Sequence, residues 1–92
     1  MIRTFRHKGL EAFFTRDDAR KLQADHVKRI SRLLDRLDAA KQPQDMNLPG
    51  LGFHPLKGDR KGTYSVTVSG NWRVTFRFDG ENATDLDLED YH

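Results

Sequence analysis

Residues 64–78 read YSVTVSGNWRVTFRF, and their apolar side chains recur at every second position. Tyr64, Val66 and Val68 alternate with Ser65 and Thr67, and Trp72, Val74, Phe76 and Phe78 alternate with Arg73, Thr75 and Arg77. A period of two sends successive side chains to opposite faces of a strand, so this stretch predicts two strands with one apolar face each. Ser69, Gly70 and Asn71 between them carry the chemistry of a hairpin turn. A second connection, Asp79-Gly80-Glu81-Asn82, leads into a run in which Leu86 and Leu88 stand opposite Asp85, Asp87 and Glu89. Together these runs predict an antiparallel meander.

Upstream of the meander the periodicity dissolves over residues 41–52, where Pro43, Asp45, Asn47, Pro49, Gly50 and Gly52 mark a loop. Before the loop the period is helical. Val27, Ile30, Leu33, Leu34, Leu37 and Ala40 form one stripe of a helix running from Asp25, its expected N-cap, to Ala40. The other side of that helix carries Lys28, Arg29, Arg32, Asp35 and Arg36, read as a solvated face with contact to nucleic acid or an acidic partner as the competing use. Leu10, Phe13 and Phe14 predict a shorter helix over residues 8–15. Residues 2–6 alternate as a short strand, with Ile2, Thr4 and Arg6 on one side and Arg3 and Phe5 on the other. The expected fold class is α+β, an N-terminal short strand and two helices packed on one side of an antiparallel sheet.

At 92 residues the chain is expected to form one domain spanning residues 1–92. It has no cysteine, which excludes disulfides and thiolate metal sites. The opening residues carry Arg3, Arg6, His7 and Lys8 with no apolar run behind them, so no signal peptide is read, and no stretch reaches the ~20 apolar residues of a membrane span. A cytoplasmic protein is the expectation. The formal net charge of +2 conceals a division: all sixteen Lys and Arg precede Asp79, where eight acids accompany them and leave +8. The six acids of residues 79–92 stand without a base and give −6. A basic body favours a polyanionic partner, with a merely solubilising surface as the alternative.

Asp90, Tyr91 and His92 place a carboxylate, a phenol and an imidazole at the end of the last predicted strand. His54, held extended by Pro55, precedes the cationic turn Lys57, Gly58, Asp59, Arg60, Lys61. Imidazoles, a carboxylate and fixed cations are the groups that metal-free phosphodiester cleavage requires. Arg73 sits in mid-strand on the face opposite the apolar row, where it could bind a phosphate bidentately. Its alternative is a cross-strand ion pair with Asp85, Asp87 or Glu89, a role that suits Arg77 better. Strict alternation would put Asp90 and His92 with Leu86 and Leu88 and turn Tyr91 away, so a cleft lined by all three needs a twist or break near Asp90. His7 and His26 lack partners at metal-ligand spacing, and no Walker loop, dinucleotide fingerprint or nucleophile elbow is present.

The segment HPLKGDRKGTYSVTVSGNWRVTFRF, residues 54–78, resembles the HigB toxins of bacterial toxin–antitoxin pairs, as do the opening MIRTFRHKGLEAFF and the closing EDYH. These toxins belong to the RelE-like messenger-RNA interferases. The resemblance implies a small α+β toxin that cleaves mRNA in the ribosomal A site, inhibits translation and growth, and is neutralised by a HigA-like helix-turn-helix antitoxin. Operator DNA would then be reached only through the antitoxin, and no cofactor or metal is implied. By the same resemblance, the active-site positions are His54, Asp90, Tyr91 and His92, with Lys57, Arg60 and Arg73 at the phosphate. Arg60 could instead pair with Asp59 or shape its turn.

The implied reaction is attack of a ribose 2′-hydroxyl on its adjacent phosphate with departure of the next 5′-oxygen. It needs a base, an acid and cations around the phosphorane. Asp90 and His92 would form the acid–base pair in either order, His54 would be a second acid–base group or a positioning contact, and Tyr91 would align a nucleotide. The competing readings are a non-cleaving module on the same scaffold, occupying RNA or the ribosome, and a DNA-binding regulator. The second is poorly supported, since no second helix follows at helix-turn-helix spacing.

Overall fold

The computed structural model describes residues 1–90. Helix α1 (Lys8–Arg16) opens on His7, whose Nδ1 accepts the Leu10 N–H at 3.1 Å and so fills the N-cap role. It closes where Asp17 turns left-handed (φ 55°) and the Asp18 N–H reaches back to the Ala12 carbonyl, the pattern of a Schellman motif. Helix α2 (Val27–Ala39) buries Ile30, Leu33, Leu34 and Leu37 of the predicted stripe; Val27 is half-buried, and Ala40 is buried just past the helix end.

The start of α2 differs from expectation. Asp25 is not its N-cap; it lies in a 3₁₀ turn, Ala24–His26, and His26 occupies the cap position without a side-chain cap bond. The turn's own backbone bonds, His26 N–H to Gln23 O and Val27 N–H to Ala24 O, take donors that a capping side chain would otherwise satisfy. The expected loop at 41–52 also holds a 3₁₀ turn, Pro43–Met46, which buries Met46 completely in the core.

Four strands follow: β1 (His54–Pro55), β2 (Tyr64–Ser69), β3 (Trp72–Asp79) and β4 (Asn82–Asp90). They are antiparallel throughout and lie in sequence order, so the predicted meander is present. Ser69 pairs with Trp72 and Asp79 with Asn82, leaving two-residue turns. Gly70 (φ 56°) and Gly80 (φ 61°) take their first positions, where an L side chain would be strained. The apolar face of the sheet, with Val66, Val74, Phe76 and Leu86, shares one core with Leu10 of α1 and the α2 stripe.

The N-terminal segment is less regular than expected. It runs parallel to β4 through two single bridges, Ile2 to Ala83 and Phe5 to Leu86, three residues apart on each side. Ile2 and Phe5 therefore both turn inward, although strict alternation would place them on opposite sides. The cause lies in β4: the register shifts between Thr75 and Arg77, and Asp85 is left-handed (φ 55°), forming a bulge. The Thr4 hydroxyl takes the Asp85 N–H at 2.8 Å, and Ile2 N–H donates to Asp38 of α2 at 3.0 Å.

Candidate functional site

Across the sheet face away from the helices, the register sets up two rows. Thr67, Arg73 and Glu89 form one, and His54, Ser65, Thr75 and Asp87 form the next. His54, exposed on the short β1, and half-buried Arg73 border the same hollow of about 470 Å³, together with Phe53, Ser65 and Thr67. The structure thus brings these two predicted residues to one cavity. Arg73 Nη1 donates to Thr67 Oγ1 at 2.6 Å.

The ion-pair alternative for Arg73 does not hold. Glu89 does stand directly across from it, but its carboxylate receives a two-pronged bond from Arg60, at 2.8 and 2.5 Å, and a third from the Thr75 hydroxyl at 2.6 Å. The Arg60 guanidinium, foremost, holds the Glu89 carboxyl below its ordinary range, against the opposing effect of partial burial. Glu89 pairs with Arg60 in this way, and Asp18 pairs with Arg20 beyond α1. Arg77 likewise makes no cross-strand ion pair; it reaches sideways to Thr63 Oγ1 at 3.0 Å and the Lys61 carbonyl. The acidic last strand is therefore held against β3 by ladder bonds, and its charge is answered from the Gly58–Arg60 3₁₀ turn.

The remaining described residues of the predicted site lie outside the hollow of His54 and Arg73. Arg60 borders a hollow of about 160 Å³ with Arg6, Thr75, Arg77 and Asp85. Lys57, exposed, borders a separate hollow beside Tyr64 and Lys61. Leu56 lines both that hollow and the one holding His54 and Arg73. Asp90, exposed, is still ladder-paired, with Trp72 as its partner, so the strand does not break before it. Alternation places it with Leu88 and Trp72, one position beyond Glu89 and on the other face from Arg73. Tyr91 and His92 lie outside the described residues.

Two residues to which the sequence reading gave no part in the site stand in this region. Thr67 grips Arg73, and Arg29 of α2 is not simply solvated: its Nη2 donates to the carbonyls of Gly50 (2.7 Å) and Thr67 (3.1 Å). Alternation did place Thr67 on the Arg73 face, but the pairing of the two depends on a bulge. Counting back from Ser69 and Trp72 along a regular ladder sets Thr67 opposite Val74. The register shift between Thr67 and Ser69 moves it to Arg73.

An antiparallel meander with an N-terminal strand segment and two helices on one face, carrying a basic hollow on the other, is the architecture of a small RelE-like α+β toxin. A toxin described as YoeB/ParE from Agrobacterium tumefaciens has the same fold, with a TM-score of 0.58 over 97% of this chain and 99% of its own, at 20% identity. Residues 3–92 match the model of the HigB-like toxin family, described as the RelE-like toxin of the type II toxin-antitoxin system HigB, and the chain belongs to that family. It is 42% identical to Endoribonuclease HigB of Proteus vulgaris over the full length of both. It is 32% identical to Toxin HigB-1 of Vibrio cholerae serotype O1 over 80 residues, covering 85% of this chain and 84% of that toxin. No helix among the described residues is long and apolar enough to cross a membrane.

Proposed function

We propose that this HigB-family toxin is an endoribonuclease that cuts mRNA in the ribosomal A site and so arrests translation and growth, and that a HigA-like antitoxin with a helix-turn-helix holds it in check. The observation that carries the reading is the shared hollow of His54 and Arg73, an imidazole and a strand-mounted guanidinium, at the end of the sheet where β4 also finishes, with Asp90 there on the opposite face. The full-length relative named an endoribonuclease supports the same chemistry.

In this reading, a ribose 2′-hydroxyl loses its proton to a base and attacks the adjacent phosphorus. The bond to the next nucleotide's 5′-oxygen breaks, and that oxygen takes a proton from an acid, leaving a 2′,3′-cyclic phosphate and a 5′-hydroxyl end. Asp90 and His92 supply base and acid, His54 a second proton-transfer group or a positioning contact, and Tyr91 aligns the nucleotide. Arg73 and Lys57 steady the charge that grows on the phosphate oxygens, and no metal is required. Arg60 enters through Glu89: with its fork committed to that carboxylate, it anchors the strand that leads to Asp90.

Primer extension on mRNA in translating ribosomes tests this. Added toxin should produce breaks within the A-site codon whose downstream fragments carry 5′-hydroxyl ends. Stalled ribosomes on intact mRNA would overturn it and favour the non-cleaving module.

A further inference from the structure

The β1 and β2 pairing ends at His54 and Ser65, so beyond it the outer edge of β2 has no strand beside it. At Thr67 that edge is closed by other means. The Thr67 N–H donates to the Leu51 carbonyl at 2.8 Å, and the Thr67 carbonyl receives Nε and Nη2 of Arg29, at 3.3 and 3.1 Å. The same Nη2 holds the Gly50 carbonyl. Thr67 is therefore fixed from both sides of its peptide, next to the register shift that brings it opposite Arg73. Its hydroxyl oxygen then takes Arg73 Nη1 at 2.6 Å. The loop also leaves this hydroxyl its space: Gly52 is left-handed (φ 61°), and a Cβ there would come within 2.6 Å of Thr67 Oγ1.

We infer that Thr67, braced by Arg29, is a positioning device for Arg73, setting where its guanidinium meets the scissile phosphate. The inference rests on the reading of Arg73 as a phosphate-binding residue. A long arginine side chain has rotamer freedom to lose on binding, and a single acceptor beneath Nη1 removes part of it beforehand while leaving other donors of the fork for the ligand. Misplacing a charge-stabilising donor by a fraction of an ångström is enough to slow a reaction that depends on it. Arg29 thereby links the basic side of α2 to the site through two backbone carbonyls, a use that charge alone does not require.

Single-turnover cleavage of A-site mRNA, followed as a function of ribosome concentration, separates this role from general stability. Thr67→Val removes the acceptor at nearly constant shape and is expected to lower the maximal rate about ten-fold, the cost of a lost charge-assisted bond. The half-saturating ribosome concentration and the thermal midpoint should stay near wild type. Thr67→Ser should restore the rate, because it restores the oxygen. Arg29→Lys, which keeps the charge but cannot fork across two carbonyls, should slow cleavage in the same direction, whereas Arg32→Lys on the same helix side should not. In an Arg73→Lys background, Thr67→Val should cost nothing further. A Thr67→Val enzyme cutting at the wild-type rate would overturn the inference, as would an equal loss in the Arg73→Lys background or a loss that Ser does not repair. An Arg73→Ala enzyme of full activity would instead remove the phosphate-binding reading on which the inference rests, so the two failures are distinguishable.

Discussion

At the scale of single residues, the site is decided by who holds whom. Arg73 and Glu89 face each other across two strands and might have cancelled, yet Glu89 is claimed by Arg60 and Thr75, and Arg73 by Thr67. A guanidinium resting on a neutral hydroxyl keeps its charge for a ligand; one resting on a carboxylate does not. Arg73→Ala should therefore lower cleavage by about 10²- to 10³-fold, the usual effect of losing a donor to developing charge, with little change in the thermal midpoint. A large drop in midpoint with cleavage retained would return Arg73 to a structural role. Glu89 gives a pH prediction. Its carboxyl is held below its ordinary range in the folded protein, chiefly by Arg60, so its contribution to stability is complete above the unfolded value and is lost as pH falls through the lower folded one. Glu89→Gln should be less stable than wild type near neutrality, and the gap should narrow as acid approaches, in melts recorded from pH 7 downward. The direction of Arg73 was legible from alternation alone. Its partner was not, because an ion-pair guess needs a register.

Register belongs to the scale of elements. The two hairpin turns and the apolar alternation announced the meander, but the β2–β3 and β3–β4 pairs each contain a shift that sequence counting passes over. In β4 the reason can be found in the residues: Ala83 faces the core, and so do Leu86 and Leu88, which breaks the period of two between Ala83 and Leu86. A regular ladder would have set Arg73 against Leu88; the bulge at Asp85 restores apolar against apolar and brings Glu89 across from Arg73. Asp85 tolerates its left-handed backbone as a short polar residue can. Asp85→Gly should accordingly leave stability near wild type, while Asp85→Val, β-branched at positive φ, should cost about 1–3 kcal/mol in denaturant unfolding. Equal stability of the two would show that the bulge does not constrain the strand. The helices show the complementary limit. The buried stripe of α2 was plain, but its start was not, because a 3₁₀ turn leaves no periodic signal and satisfies the donors that Asp25 was expected to cap. Met46 went unrecognised as core for the same reason, lying in a turn among loop-forming neighbours.

On the scale of the whole molecule, the charge division and the sheet have a common geometry. The acidic last strand lies beside the basic β3, and the Gly58–Arg60 turn clasps it through Glu89, so the strand leading to Asp90 is fixed on both sides before the chemistry begins. What remains is an excess of cations over the rest of the body, suited to a ribosome-bound polyanion. Association with ribosomes should therefore weaken steeply as salt rises, and a binding isotherm flat between 50 and 200 mM salt, the interval over which several phosphate contacts typically cost about 10³ or more, would argue against it. The class of fold, and His54 and Arg73 among the residues bordering their shared hollow, could be read before the structure; the separation of Lys57 from the hollow, and the commitment of Arg60 to Glu89, could not, since both depend on how one short turn folds over the sheet. The claim on which the account depends is that the toxin cuts RNA by proton transfer through Asp90, the last residue of β4, and His92. Single-turnover cleavage of A-site mRNA by wild type and by His92→Ala, each verified as folded by thermal melt, tests it most directly. The account predicts 5′-hydroxyl breaks with the wild type and essentially none with the variant at an unchanged melting temperature; equal cleavage by the two would contradict it.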